Sequence, residues 1–296
     1  MLQGTFRQML EACWSAGTSV CVGLDTDTAK IPAMCVRNYP HESIIDFNCA
    51  IIDATKDLVC CYKPNSAFYE GRGEEGIVAL KHTIQYIRTV APGVPVILDA
   101  KRADIDSTNM GYVHAIFDYL GADAITVHPY LGAQALKPFL ERKEKGVIVL
   151  CRTSNPGAGE FQDLPLLPAD PPTRSMPLYQ YVAQRVARFW NQNGNCALVV
   201  GATYPDELRQ VRGIVGDMPL LIPGIGFQQK DVPLEVQTKL AVMAGKDSRG
   251  KGMIINSSRG ILYASKEKDF AEAARRETLK LRDMITNALK AEPTLV

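Results

Sequence analysis

The chain carries almost no net charge: 33 Lys and Arg stand against 32 Asp and Glu. No Lys/Arg cluster forms a basic stripe, so a nucleic-acid partner is not expected. Long apolar runs are missing too. None approaches the roughly 20 residues needed to cross a bilayer, and no membrane association is expected. Met1 to Ala16 holds Arg7, Glu11 and Trp14, unlike a secretory signal. Histidine is scarce, and His41, His82, His114 and His128 lack metal-ligand spacing. The eight cysteines contain no C-x-x-C pair. Cys21, Cys60, Cys61, Cys151 and Cys196 lie in apolar, strand-like runs. They read as small buried hydrophobes in a reducing, cytoplasmic setting rather than disulfides or zinc ligands.

What is present is a large apolar fraction, 46% of 296 residues, enough for a sizeable core. The most informative stretch runs from Val94 to Thr108, V-P-V-I-L-D-A-K-R-A-D-I-D-S-T. It opens as a continuously apolar run of β-formers, the pattern of a strand buried on both faces. It then breaks into charge at Asp99, Lys101, Arg102, Asp104 and Asp106. Strand alternation predicts that Asp99 and Lys101 share one face and that Arg102 points the other way. Asp106 and Ser107 are expected to cap the next helix, with Met110, Val113, Phe117 and Leu120 as its apolar stripe.

The same grammar repeats along the chain. Apolar strands are expected at Ser19–Leu24, Leu58–Tyr62, the central run, Ala122–Val127, Val147–Cys151, Cys196–Val200, Pro219–Ile222 and Met253–Ile255. Helical spacing lies between them, and Lys266–Leu289 closes the chain as a long amphipathic helix. Eight strands alternating with helices predict a single (β/α)8 TIM barrel over residues 1–296. A doubly wound open sheet is the runner-up, but the glycine-rich turn it keeps after its first strand is missing. Residues 161–177, rich in Pro and polar residues, are a candidate lid or an idle solvated loop.

The polar residues at the strand ends are Asp25, Lys63, Asp99 with Lys101, His128, Thr153 with Ser154, Gln228 and Arg259. In a barrel they face one mouth, where active sites sit. Gly224 and Gly226 let backbone N–H groups approach an anion, and Arg259 supplies a bidentate fork, so a phosphate grip is expected there. Asp25, Lys63, Asp99, Lys101 and Asp104 form an alternating set of charges. A lysine flanked by carboxylates stays an ammonium, which is a proton donor and a fixed positive charge. A purely structural ion-pair network has the same composition.

D-A-K-R-A-D-I-D-S-T resembles the D-x-K-x-x-D-I-x-x-T signature of the orotidine 5′-phosphate decarboxylase family. V-G-L-D to Asp25, Y-K-P-N-S-A-F-Y-E, R-T-S-N-P-G, P-G-I-G-F-Q and S-S-R-G-I resemble its other motifs in the same order, from about Asp25 to Arg259. The wording is closest to the longer-chain branch. The resemblance implies a homodimeric barrel that converts orotidine 5′-monophosphate to uridine 5′-monophosphate, with no cofactor and no metal. It implies that Lys101 protonates C6, that Asp99 sits beside the departing carboxylate, and that Lys63 links Asp99 to the ribose. Asp104 and Thr108 match residues reaching the neighbouring subunit's site. Asp25 and Asn65 resemble ribose contacts, Ser154 with Thr153 the pyrimidine reader, and Gln228 with Arg259 the phosphate grip.

The nearest alternative is a magnesium-dependent sugar-phosphate decarboxylase or synthase of the same superfamily, in which the second strand resembles one ending in a metal-binding Glu. Lys63 stands there instead and argues against a divalent cation. A non-catalytic nucleotide-binding barrel is a third reading; loss of Lys101 or Asp104 is expected of it, and both are present. His128 is expected to be a hydrogen-bonded wall residue, and Tyr130 and Phe161 to line the mouth or the core.

Overall fold

The computed structural model describes residues 4–167, 175–226 and 231–291. Eight parallel strands form one sheet: β1 (Val20–Gly23), β2 (Cys61–Lys63), β3 (Ile97–Arg102), β4 (Ala124–Val127), β5 (Gly146–Arg152), β6 (Cys196–Val200), β7 (Leu220–Pro223) and β8 (Met253–Ser257). Each pairs with its sequence neighbours, and β1 pairs with β8. Parallel bridges Tyr62↔Val96 and Asn65↔Asp99 join β2 to β3 and close the ring. Helices cross between the strands, which gives the (β/α)8 barrel expected from the alternation.

Two apolar clusters follow from strand alternation. Residues of one parity, such as Val22, Tyr62, Leu98, Ile125 and Val149, pack outward against the helices. Those of the other parity, Cys21, Cys61, Ile97, Ala124, Ile148, Ala197, Leu221 and Ile254, fill the barrel interior. The N-terminal helix Phe6–Ser15 joins this inner cluster through Phe6, Leu10 and Trp14. Its Trp14 Nε1 donates to the Met253 carbonyl at 2.8 Å. Met253 opens β8, so the helix plugs the end of the barrel where strands begin. The other end stays open to solvent and carries the polar residues.

Several local expectations need correction. The helix after β3 runs Asp106–Val113 with Ile105 at its N-cap and no side-chain cap. Asp106 therefore lies inside the first turn, where it faces the positive end of the helix dipole rather than capping it. The helix continues as a π-helical turn, His114–Tyr119. That wider turn rotates the stripe, so Val113, Phe117 and Leu120 are buried while Met110 is exposed. His128 is not hydrogen-bonded through Nδ1, which is buried without a partner. Of the two places left open for Tyr130 and Phe161, the mouth and the core, their exposure excludes the core. Of residues 161–177, the described part forms the end of a short helix, Gly159–Gln162, and two-residue antiparallel strands Pro165–Leu166 and Met176–Pro177. Residues 168–174 lie outside the described set.

The eight cysteines are unpaired, seven of them buried. No described helix is long and apolar enough to cross a membrane.

Candidate active site

The open end of the barrel gathers its charge on β1, β2 and β3. Lys63 ends β2 and is almost fully buried, with Nζ 3.1 Å from Asp99 Oδ2 and 4.0 Å from Asp25 Oδ1. Asp99 lies on β3, and its other oxygen, Oδ1, accepts from Lys101 Nζ at 2.6 Å. Asp25, Lys63, Asp99 and Lys101 thus alternate in sign along one chain of contacts. Burial alone would discharge Lys63, but the facing Asp99 and Asp25 carboxylates outweigh it and hold its pKa above the ordinary lysine value. Burial likewise raises the Asp99 pKa, yet Lys63 and Lys101 reverse the sign and hold it well below the usual carboxylate range.

These shifts fix the pH dependence of stability. Asp99 contributes stability above its unfolded value, near about pH 4, and loses it as the pH falls through its depressed folded value. Lys63 contributes below its unfolded value of about 10.4 and loses it only as the pH rises through its raised folded value. The Tm advantage of the wild type over Asp99→Asn should therefore be level from about pH 5 to 9 and shrink below about pH 4. An advantage still undiminished near about pH 2 would contradict this assignment.

Asp99 and Lys101 share one side of the sheet, but not through simple alternation. The β3–β4 register passes from Leu98↔Ile125 to Arg102↔Val127, so β3 carries two extra residues there. Lys101 adopts φ 49°, the one positive value at a non-glycine among the described residues. The left-handed region costs such a residue about 1–2 kcal/mol. Thr126, buried on β4, accepts from Lys101 N at 2.9 Å and donates to Asp99 Oδ1 at 2.8 Å. Arg102 leaves the barrel and pairs with Glu70.

Asp104 stands apart from the four-membered network within the chain. Its Oδ1 accepts the neighbouring Ile105 N at 2.6 Å. Buried Asn109 holds the Asp104 backbone from both sides, accepting its N–H at 3.0 Å and donating to its carbonyl at 2.6 Å. Thr108 is exposed in the first turn of the same helix.

A cavity of about 360 Å³ opens beside Lys63, Asp99 and Lys101. Leu150, Val199 and Leu221 line its apolar part, and Thr153, Ser154, Asn155 and Gln162 its polar wall. A flat base suits such a combination: apolar contact for its face, hydrogen-bonding groups for its edge. Ser154 is pressed onto Gly201, where a Cβ would come 2.6 Å from the Ser154 Cβ. Gln162 Oε1 accepts from Thr153 N at 2.8 Å, while its Nε2 donates to Thr153 Oγ1 at 3.0 Å. Arg152, buried at the end of β5, pairs with Asp163 at 2.9 Å and lies 3.8 Å above the Tyr204 ring. The loop after β5 is thereby fastened at two adjacent points.

A second recess, about 280 Å³, is lined by Asp25, Asp27, Lys30, Phe68, Arg259 and Tyr263. Asp25 Oδ1 is buried there without a hydrogen-bond partner, an acceptor open to a hydroxyl. Tyr263 fixes this loop: its hydroxyl accepts from Asp27 N at 2.7 Å and donates to the Asp25 carbonyl at 3.1 Å. Asn65 follows β2 by two residues and bridges Asp99 on β3, and its Oδ1 caps the helix Ser66–Glu70 through Ala67 N at 3.2 Å. Gly224 and Gly226 both have positive φ, but Gly226 N already donates to Gln237 Oε1 at 2.9 Å. That amide is therefore committed to the following helix, Leu234–Gly245, rather than presented to an anion. Gln228 lies outside the described residues.

Residues 18–276 match the model of the "Orotidine 5′-phosphate decarboxylase / HUMPS family". The chain belongs to this family. It is 50% identical over 283 residues to orotidine 5′-phosphate decarboxylase of Janthinobacterium sp. (strain Marseille), covering 95% of this chain and 98% of that one. It is 46% identical to the enzyme of the same name from Cellvibrio japonicus (strain Ueda107), covering 96% and 99%. The solved structure of Leishmania donovani OMP decarboxylase superposes with a TM-score of 0.78 at 34% identity, over 95% of this chain and 99% of that one.

For a member of the decarboxylase family, three features were not singled out from the sequence. Thr126 is one hydroxyl in the strand A-I-T-V, and its only signal is polarity at an inward position. Gln162 is separated from Thr153 by a loop with no periodic pattern, and Tyr263 reaches Asp25 from the far end of the chain. Neither contact has a local sequence signal.

Proposed function

We propose that this site removes CO2 from orotidine 5′-monophosphate to give uridine 5′-monophosphate, without a cofactor. The observation that carries the reading is the Asp25–Lys63–Asp99–Lys101 chain at the edge of a cavity with an apolar floor. Loss of CO2 from C6 leaves an electron pair in the plane of the pyrimidine ring, where no π-system delocalises it. A preplaced ammonium stabilises that pair and then donates the proton, which is the task assigned to Lys101. Asp99 holds the ammonium on one side and stands where the departing carboxylate is bound. Lys63 ties Asp99 to Asp25, the acceptor for a ribose hydroxyl, with Asn65 beside it.

Ser154 and Thr153 read the base edge. Arg259, with Gln228, grips the phosphate. That grip is remote from the breaking bond, and its binding energy is available to organise the charges around C6, raising rate as well as affinity. The reading extends to one domain over 1–296, with 161–177 as a lid or insertion. A magnesium-dependent sugar-phosphate reaction is disfavoured because β2 ends in the Lys63 ammonium, 3.1 Å from Asp99, where a metal-binding carboxylate would be needed.

The working unit is a cytoplasmic homodimer in which Asp104 and Thr108 enter the partner's site. Its support is an apolar rim on the loops and helix after β3 and β4, where Ile105, Met110, Tyr130 and Leu131 are exposed. In heavy water the uridine 5′-monophosphate formed should carry one deuterium at C6, read by proton NMR. Unchanged substrate, or product without deuterium at C6, would contradict the reading.

A further inference from the structure

The bulge in β3 leaves Asp99, Ala100 and Lys101 without ordinary ladder partners on β4, because four steps on β3 match two on β4. One hydroxyl bridges that gap. Thr126 follows the inward-facing Ala124 by two residues, so it points into the barrel, and it is wholly buried. The proton order is forced by chemistry. Lys101 N–H can only donate and the ionised Asp99 carboxylate can only accept, so Thr126 must take the first bond and give the second. Lys101 Nζ returns to the same Asp99 oxygen, closing a ring of three hydrogen bonds around the left-handed Lys101 backbone.

We infer that Thr126 is a positioning residue for the decarboxylation: its hydroxyl holds the Lys101 backbone and the Asp99 carboxylate so that the ammonium is presented to C6. The inference rests on the functional reading above and deepens it. Thr126 is absent from the cavity wall and so acts through Asp99 and Lys101. Threonine is one of two isosteric choices at such a position; valine has the same shape and makes neither bond. An inward threonine kept only for packing would tolerate that exchange.

The test compares wild type, Thr126→Val and Thr126→Ser for kcat, KM, the pH profile of kcat/KM, and the affinity of uridine 5′-monophosphate. Thr126→Val should lower kcat by about 10- to 100-fold, since small misplacements of reacting groups cost that much. KM and product affinity should stay within about threefold, because the base, ribose and phosphate contacts are untouched. The acid limb of kcat/KM should stay where it is, because Lys63 and Lys101 still hold Asp99 ionised far below the assay range. Thr126→Ser should restore kcat to within about threefold of wild type. Should the valine variant fail to fold, Thr126→Ala, which drops the same hydroxyl, is read in the same way. Wild-type kcat in Thr126→Val, or a serine variant as slow as the valine one, overturns the inference while leaving the reaction itself intact. A wild type that does not turn over orotidine 5′-monophosphate in the same assay overturns the functional reading instead.

Discussion

Replacing Lys101 by Ala should reduce turnover of orotidine 5′-monophosphate by at least about 10⁴-fold, combining the loss of a general acid with that of a fixed charge. The fold should survive. The Lys101 side chain is 48% exposed, so its removal opens no cavity in the core. Asp99 keeps two partners, Lys63 at 3.1 Å and Thr126 at 2.8 Å, so no buried carboxylate is orphaned. Alanine is no worse than lysine at φ 49°, since both carry a Cβ. The Tm should therefore shift by only a few degrees, roughly what a change within about 1 kcal/mol produces. Near-normal kcat in a folded Lys101→Ala protein would remove Lys101 from the chemistry.

The second large effect is a recovery. Asp104→Ala should be inactive on its own if Asp104, which makes no ion pair with Lys101 in its own chain, enters the partner's site as proposed above. Mixing it with Lys101→Ala and allowing the subunits to exchange should restore activity. In a hybrid dimer, one site combines Lys101 from one chain with Asp104 from the other, while the second site lacks both. Statistical exchange of equal amounts then yields about a quarter of wild-type activity per site. No recovery, with hybrids demonstrated by differential tagging, would overturn the shared site. It would leave the Lys101 result standing.

Much of the architecture was legible because parallel strands buried on both faces leave a simple trace. Short apolar runs each stop at a polar residue, and the barrel brings those stops to one end. Asp25, Lys63, Asp99, Thr153, Ser154 and Arg259 could be placed at the mouth by that rule alone. The rule assumes an unbroken period of two, and it fails at the most important point. Alternation put Asp99 and Lys101 on one face, but a two-residue bulge and a left-handed lysine bring them together. A bulge is set by pairing across strands, so no local pattern on β3 announces it.

The same limit explains the other departures. Ile105, not Asp106 or Ser107, is the N-cap, because Asn109 rather than a capping side chain holds the chain entering that helix. Met110 left the buried stripe because the helix widens into a π turn beyond it. The Gly226 amide was read as free for an anion, and it is taken by Gln237 from the following helix. Each of these depends on a contact between segments that sequence periodicity does not couple.

The most direct measurement is the ultraviolet absorbance of orotidine 5′-monophosphate after addition of the purified protein in excess EDTA. A rapid fall to the spectrum of uridine 5′-monophosphate, unchanged by the chelator, is the predicted result. No conversion by folded protein, or conversion that appears only when magnesium is restored, would contradict a decarboxylation carried by Lys101 and its carboxylate partners.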